Sequence, residues 1–196
     1  IVTWHTKGLN QREELAIGNT ALDLLGQAQL WLNLAAETKN DGRDADKLAY
    51  LRDAGQYRNL LLVEQPNGDF AHTLTRQFFF YIFHYLLLDA LAKSSNAAIA
   101  AIAAKAIKEV SYHLRRSRDW VITLGDGSDE SHRRMLIAID NLWAYTGELF
   151  EMDSVDSELL DAGIAANLAY LREPWLREIN STFAKATLTV PQNNWA

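Results

Sequence analysis

On an α-helix, a Glu and a His three residues apart lie on one face, where a carboxylate oxygen and an imidazole nitrogen can reach the same metal ion or adjacent ions. A di-iron or di-manganese carboxylate centre in a helical bundle uses two such Glu-x-x-His pairs, together with a Glu from each of two further helices. The chain has five histidines, His5, His72, His84, His113 and His132, and none has a Glu three residues upstream. Asp69-Phe70-Ala71-His72 and Asp129-Glu130-Ser131-His132 keep the spacing with a shorter acid. Each lies at an expected helix start, where an Asp more commonly caps free backbone N–H groups. Glu109 and His113 are four apart in the middle of a helix; an ordinary Glu/His hydrogen bond explains them better than a metal. His84 sits inside an aromatic run and reads as a neutral core histidine beside a polar neighbour.

Asn19, Asp23 and Gln27 form a polar stripe at i, i+4 and i+8 through an otherwise apolar helix. A buried carboxylate is costly unless something pairs with it. Asp23 therefore reads as a hydrogen-bond partner that fixes helix register, and compatibly as the residue of a former ligand set. The arginines Arg115, Arg116 and Arg118 suit an acidic partner or a nucleotide phosphate, although runs of charge on a helix are usually solvated. No Gly-rich phosphate loop, Ser/His/Asp hydrolase signature or dinucleotide fingerprint occurs. With zero cysteines, disulfides, thiolate metal sites and cysteine nucleophiles are all excluded, which fits a cytoplasmic protein. No positive catalytic motif emerges.

The elements that would carry these residues are helical throughout. Apolar residues at Leu15, Gly18, Leu22, Leu25, Leu32 and Ala36 give a helical face over about Gln11 to Thr38. Its other sides carry Ile17, Leu24, Ala28, Trp31 and Ala35, which points to burial on more than one side. Asn40 to Arg43 end this helix, Asp44 caps a short polar one to about Arg52, and Asn59 to Asn67 close on the turn Pro66-Asn67-Gly68. Asp69 caps the next helix, an almost unbroken apolar sleeve from Phe70 to about Lys93, too long for a strand. Ser95 or Asn96 caps an amphipathic helix to about Leu124, with Ile99, Ala103, Ala106, Val110, His113, Ser117 and Trp120 on one face. Ser128 or Asp129 starts another to about Met152. A last helix spans roughly Asn167 to Ala186, disturbed at Pro174.

Long helices joined by short turns predict an all-α, up-and-down bundle with additional helices to cover its apolar middle, in a single domain over residues 1–196. Either more than four helices cover that apolar surface, or another subunit buries part of it, or both. A net charge of −6 argues against nucleic acid. The longest apolar run, Phe78 to Leu88, is too short to span a bilayer. Ile1 to Gly8 lacks the order of a signal peptide, and the chain reads as lacking terminal segments.

Four strings carry a resemblance: Ala21-Leu-Asp-Leu-Leu-Gly-Gln-Ala28; Asn59-Leu-Leu-Leu-Val-Glu-Gln-Pro-Asn-Gly68; Ala104-Lys-Ala-Ile-Lys-Glu109 with Tyr112-His-Leu-Arg115; and Ala186-Thr-Leu-Thr-Val-Pro-Gln192. Together they resemble the C subunits of bacterial ring-1,2-phenylacetyl-CoA epoxidases, the phenylacetate-degradation monooxygenases, over most of the chain. The segment from Leu62 to Gly68 is the most specific piece. The resemblance implies a ferritin-like fold, pairing with a catalytic A subunit that holds a di-iron centre, and a larger complex served by a flavin and iron–sulfur reductase. It also implies that a Glu-x-x-His of the catalytic relative falls where this chain has Asp23-Leu24-Leu25-Gly26, so that Gly26 stands in place of an imidazole. Asp23, Gly26, Glu109 and His113 are then the positions of a dismantled metal site, with no catalytic residue, no metal and no cofactor in this subunit.

The expected role is a non-catalytic structural subunit that supports the di-iron partner, leaving open a homodimer of the chain alone. Two rivals stand beside it. One is a ferritin-like oxidase with an unorthodox site built from Asp23, Glu109, His113 and His84. The other is a helical module that buries a small aromatic compound against the Phe-rich helix.

Overall fold

The computed structural model describes residues 11–192. Ile1 to Gly8, where the sequence lacks a leader pattern, and His5 with them, lie outside the described residues. The described residues form an all-α fold with no strand among them. The chain divides at Arg58/Asn59 into two compact units.

In the first unit α1 spans Gln11–Lys39 and packs against α2, Ala45–Tyr50. The first helix ends where Asn40 takes a left-handed backbone, at φ 46°. Asp44 caps α2 by accepting from the Lys47 N–H at 2.8 Å. A single 3-10 turn follows at Ala54–Gln56. The face that α1 buries differs from the expected one. Leu15, Leu22 and Leu25 are 57%, 68% and 61% exposed, whereas Ile17, Thr20 and Gln27 are buried. Both faces of this helix are apolar enough for burial, and the chosen one contains polar side chains that hydropathy penalises. Thr20 accommodates its burial by donating to the Ala16 carbonyl at 2.9 Å.

The second unit is built on α4, Phe70–Leu91, which packs against α5 (Ala97–Gly125), α6 (Asp129–Trp143) and α8 (Leu168–Lys185). The short α3, Leu61–Glu64, leads into it, and α7 spans Ser154–Asp161. Asp69 caps α4 as the sequence predicts, Asn96 and Ser128 are the caps among the two candidates each for α5 and α6, and Asn167 caps α8. Each side chain accepts from a free N–H of the first turn, a contribution of about 1 kcal/mol apiece. Along α5 the residues Ala103, Ala106, Val110, His113 and Ser117 are buried, as their spacing predicts.

Two segments differ from expectation. The helix from Ser128 does not continue to Met152: after Trp143 it tightens into a 3-10 stretch over Ala144–Phe150. Thr146 donates its hydroxyl to the Trp143 carbonyl, three residues back, at 2.7 Å, and Gly147 lowers α-helical preference further. The helix α7 has no counterpart in the sequence reading. It starts at a capping box in which Asp153 and Asp156 exchange bonds, a variant of the usual Ser/Thr with Glu. Pro174 lies inside α8 without ending it. Its missing N–H leaves the Tyr170 carbonyl without a helical donor, on a residue 78% exposed where water can serve.

The loop before α4 is held by one side chain. Arg76, 9% exposed, donates through its guanidinium to the Gln65 carbonyl, to the Pro66 carbonyl at 3.1 Å and to Asn67 Oδ1 at 2.6 Å. Thr73 adds a bond to the Asn67 carbonyl at 3.0 Å. Gly68 has a left-handed backbone, φ 59°, and a Cβ there would meet His72 Cγ at 2.8 Å. The Gln65-Pro66-Asn67-Gly68 string is thus a turn fitted around a buried cation, which is why its residue types are so particular. Replacing Arg76 by Met keeps the bulk and leaves these acceptors bare. A loss of about 2–4 kcal/mol is expected in urea unfolding, several-fold beyond that of an exposed arginine control such as Arg133→Met.

Candidate functional site

The residues nearest to a metal-site pattern in the second unit lie between α4 and α5. His113 of α5 is 2% exposed, and its ring centroid is 5.3 Å from that of Tyr81 and 6.2 Å from that of Tyr112. Glu109, one turn earlier, is half-buried. From α4, the His84 ring lies tilted against Phe80 with centroids 5.2 Å apart, and its Nδ1 is enclosed with no hydrogen-bond partner among the described residues. Burial, and secondarily the electrostatic influence of the nearby His113, press the His84 pKa down to about 4. The imidazole of His84 is therefore neutral at pH 7, as expected, but its Nδ1 lacks the polar neighbour that the sequence suggested.

The Asp-containing near misses are caps. Asp69 accepts from the His72 N–H at 3.0 Å and pairs with His72 Nδ1 at 2.7 Å, while His72 Nε2 meets Asn141 Nδ2 at 3.1 Å. Burial tends to raise the Asp69 pKa, but the bonds from His72 and the nearby Arg134 outweigh it and hold the carboxyl below its ordinary range. Asp129 is the first residue of α6, just after the Ser128 cap, and His132 Nδ1 lies 2.6 Å from the Gly125 carbonyl. Both histidines are committed to helix junctions.

In the first unit, the polar stripe of α1 is graded: Asn19 is exposed, Asp23 half-buried and Gln27 buried. Asn19 is therefore no part of a buried polar line. Gly26 is exposed, and a Cβ built on it meets nothing within 4 Å. Asp23 and Gly26 thus belong to one unit, and Glu109 and His113 to the other. Among the described residues, no three His, Asp or Glu side chains cluster as metal ligands would. No helix of the described residues is long and apolar enough to cross a membrane.

The arginines of α5 separate. Arg115 is exposed, while Arg118 forms an ion pair with Glu178 of α8 at 2.5 Å. Arg115, Arg116 and Arg118 are one cluster in the sequence, whereas Arg177 lies on α8 and joins Arg115 and Arg118 only on folding.

These features define an all-α, ferritin-like bundle. The family profile described as Phenylacetic acid catabolic protein matches residues 2–196, and the chain belongs to that family. It is 49% identical over 179 residues to the C subunit of the 1,2-phenylacetyl-CoA epoxidase of Escherichia coli (strain K12), across 91% of this chain and 72% of the relative.

The low pKa of His84 has a measurable consequence. A group whose folded pKa lies below its unfolded value of about 6.5 adds stability above that value, and loses it as pH falls toward about 4. Between pH 7 and pH 5 this residue should cost the fold about 1–2 kcal/mol. His84→Leu should remove that part of the acid sensitivity; identical slopes of unfolding free energy against pH in the two proteins would contradict the assignment.

Proposed function

We propose that this chain is a non-catalytic structural subunit of a phenylacetyl-CoA epoxidase in aerobic phenylacetate catabolism, supporting a catalytic A subunit that holds the di-iron centre. The observation that carries this reading is the donor set. A dinuclear carboxylate centre needs Glu-x-x-His on two helices. Here Asp23 is followed at the third position by Gly26, and Glu109 is followed at the third position by Tyr112. Tyr112 is 51% exposed, and Gly26 has no side chain to offer. The residues do not fit the metal pair, so no step of the oxygenation is assigned to them, and Asp23, Gly26, Glu109 and His113 are positions of a dismantled site. The protein is read as cytoplasmic.

Support of a partner has a physical basis. Metal ligands keep their geometry only when the helices that bear them are packed against something rigid. The second unit supplies such rigidity through its aromatic core, and α1 supplies a surface. Leu15, Leu22 and Leu25 lie on one side of a 29-residue helix and are all exposed, as a face covered by another subunit would be. The relative from Escherichia coli is itself one subunit of an epoxidase, which supports the same reading.

Co-expression with the catalytic subunit tests it. The two chains should co-purify, and omission of this one should leave the partner insoluble, unstable or inactive; full epoxidation by the partner alone would overturn the role. Metal analysis separates the oxidase rival, because stoichiometric iron or manganese in the purified single chain would favour it. Calorimetry with phenylacetate separates the aromatic-binding rival, for which heat of binding is required. Leu22→Asp with Leu25→Asp should weaken co-purification at least thirtyfold while leaving helical circular dichroism intact, since both side chains are exposed hot-spot candidates. Undiminished pairing would place the partner on another face.

A further inference from the structure

The second unit carries an open groove of about 730 Å³ between α5 and α8, floored by α4. Its volume lies within the ~300–1,000 Å³ of small-molecule sites. The two walls repeat one pattern. Ser111, Leu114, Arg115 and Arg118 line it from α5 at i, i+3, i+4 and i+7. Pro174, Arg177, Glu178 and Ser181 do so from α8 at the same intervals. The floor is the apolar edge of α4, with Ile82, Tyr85 and Leu86.

The charges on these walls are unbalanced. Arg118 is engaged by Glu178 at 2.5 Å, and its Nε is enclosed without an acceptor among the described residues. Among the described residues neither Arg115 nor Arg177 has a carboxylate within ion-pair range, and both are exposed. Three guanidiniums against one carboxylate leave two positive charges in the groove of a chain whose net charge is −6. A local field of sign opposite to that of the whole molecule selects an anion. A carboxylate would leave one charge over; a phosphate monoester, with a charge of about −1.5 to −2 at pH 7, balances both. The planar five-donor fork of arginine suits phosphate oxygens.

Size chooses among phosphate carriers. A wall of seven residues' rise is about 10 Å long, enough for a ring and its phosphate but for only about three residues of extended peptide. We propose that the groove between α5 and α8 binds a phosphate monoester on an apolar or aromatic body, held by Arg115 and Arg177 with the body over Tyr85 and Leu86. The salt bridge between Arg118 and Glu178 ties the two walls together. This assignment is independent of the scaffold role and stands if that role fails.

Phenyl phosphate is the probe, measured by calorimetry on the full chain in whatever form it purifies, alone or with subunits that co-purify. It should bind more tightly than inorganic phosphate, which leaves the floor bare, and more tightly than phenylacetate, which carries half the charge. Affinity should fall as salt rises. Arg115→Gln and Arg177→Gln should each weaken binding by roughly tenfold or more, and together by about a hundredfold, with helical circular dichroism unchanged. Should the double variant fold poorly, Tyr85→Ala supplies the second reading: it should erase the preference for phenyl phosphate over inorganic phosphate. No binding of phenyl phosphate at millimolar concentration, equal binding to the arginine variants, or preference for an acidic peptide would each overturn the proposal.

Discussion

From Phe78 to Leu88 helix α4 is apolar around most of its circumference, and the packing of the second unit follows from the need to cover it. Phe79 is the centre of that cover. Its ring lies 5.7 Å from Trp143 of α6, 5.7 Å from Trp175 of α8 and 6.3 Å from Phe183 of α8. Trp175 is itself 5.6 Å from Trp143 and 5.6 Å from Phe150, so the cluster also fixes the 3-10 stretch that ends at Phe150. The indole N–H of Trp175 donates to the Phe79 carbonyl at 2.9 Å, which gives the buried ring its polar partner and locks α8 in register against α4. Aromatic packing of this kind stabilises by area and by shape together, and it is intolerant of sliding.

A core so apolar makes every enclosed polar group consequential, and the protein meets that demand in two ways. Arg76 is surrounded by three neutral oxygens of one turn, so its charge is solvated by dipoles instead of a carboxylate. Burial still depresses its pKa. His84 takes the other course and gives up its charge. The contrast follows from chemistry: guanidinium cannot lose its proton under ordinary conditions, so the chain must wrap around it, whereas imidazole can. The turn from Gln65 to Gly68 exists in its particular form because of the first of these.

Much of this was legible in the sequence because it rests on local rules. Asp44, Asp69, Asn96 and Ser128 cap the helices that the sequence assigns to them, since an N-cap needs only a short acceptor at a helix entry. The buried face of α5 was readable because its other side is charged. The buried face of α1 was not: with leucines on both sides, hydropathy favours Leu15, Leu22 and Leu25, and tertiary contact decides for Ile17, Thr20 and Gln27. The 3-10 stretch after Trp143 depends on where Leu149 and Phe150 must go, which is tertiary information. Of the candidate site, the missing Glu-x-x-His pairs could be read directly, whereas the enclosure of His84 Nδ1 without a partner among the described residues and the meeting of Arg118 with Glu178 needed the fold, because each depends on residues distant in sequence.

On the scaffold reading, the fold and its former chemistry separate cleanly. A dinuclear centre brings several carboxylates into a bundle interior, and they remain tolerable there because the ions neutralise them. A bundle that discards the ions must discard or neutralise those carboxylates too, and find its stability elsewhere. Here the interior facing α4 and α5 holds an uncharged His84, a tightly buried His113 and aromatic rings, and the half-buried Glu109 beside them is not left without a partner. The aromatic cluster about Phe79 contains no metal-ligating side chain, so the packing of the second unit does not rest on a ligand set. A subunit of that construction holds its shape without a metal, and a rigid shape is the property that a supporting partner contributes.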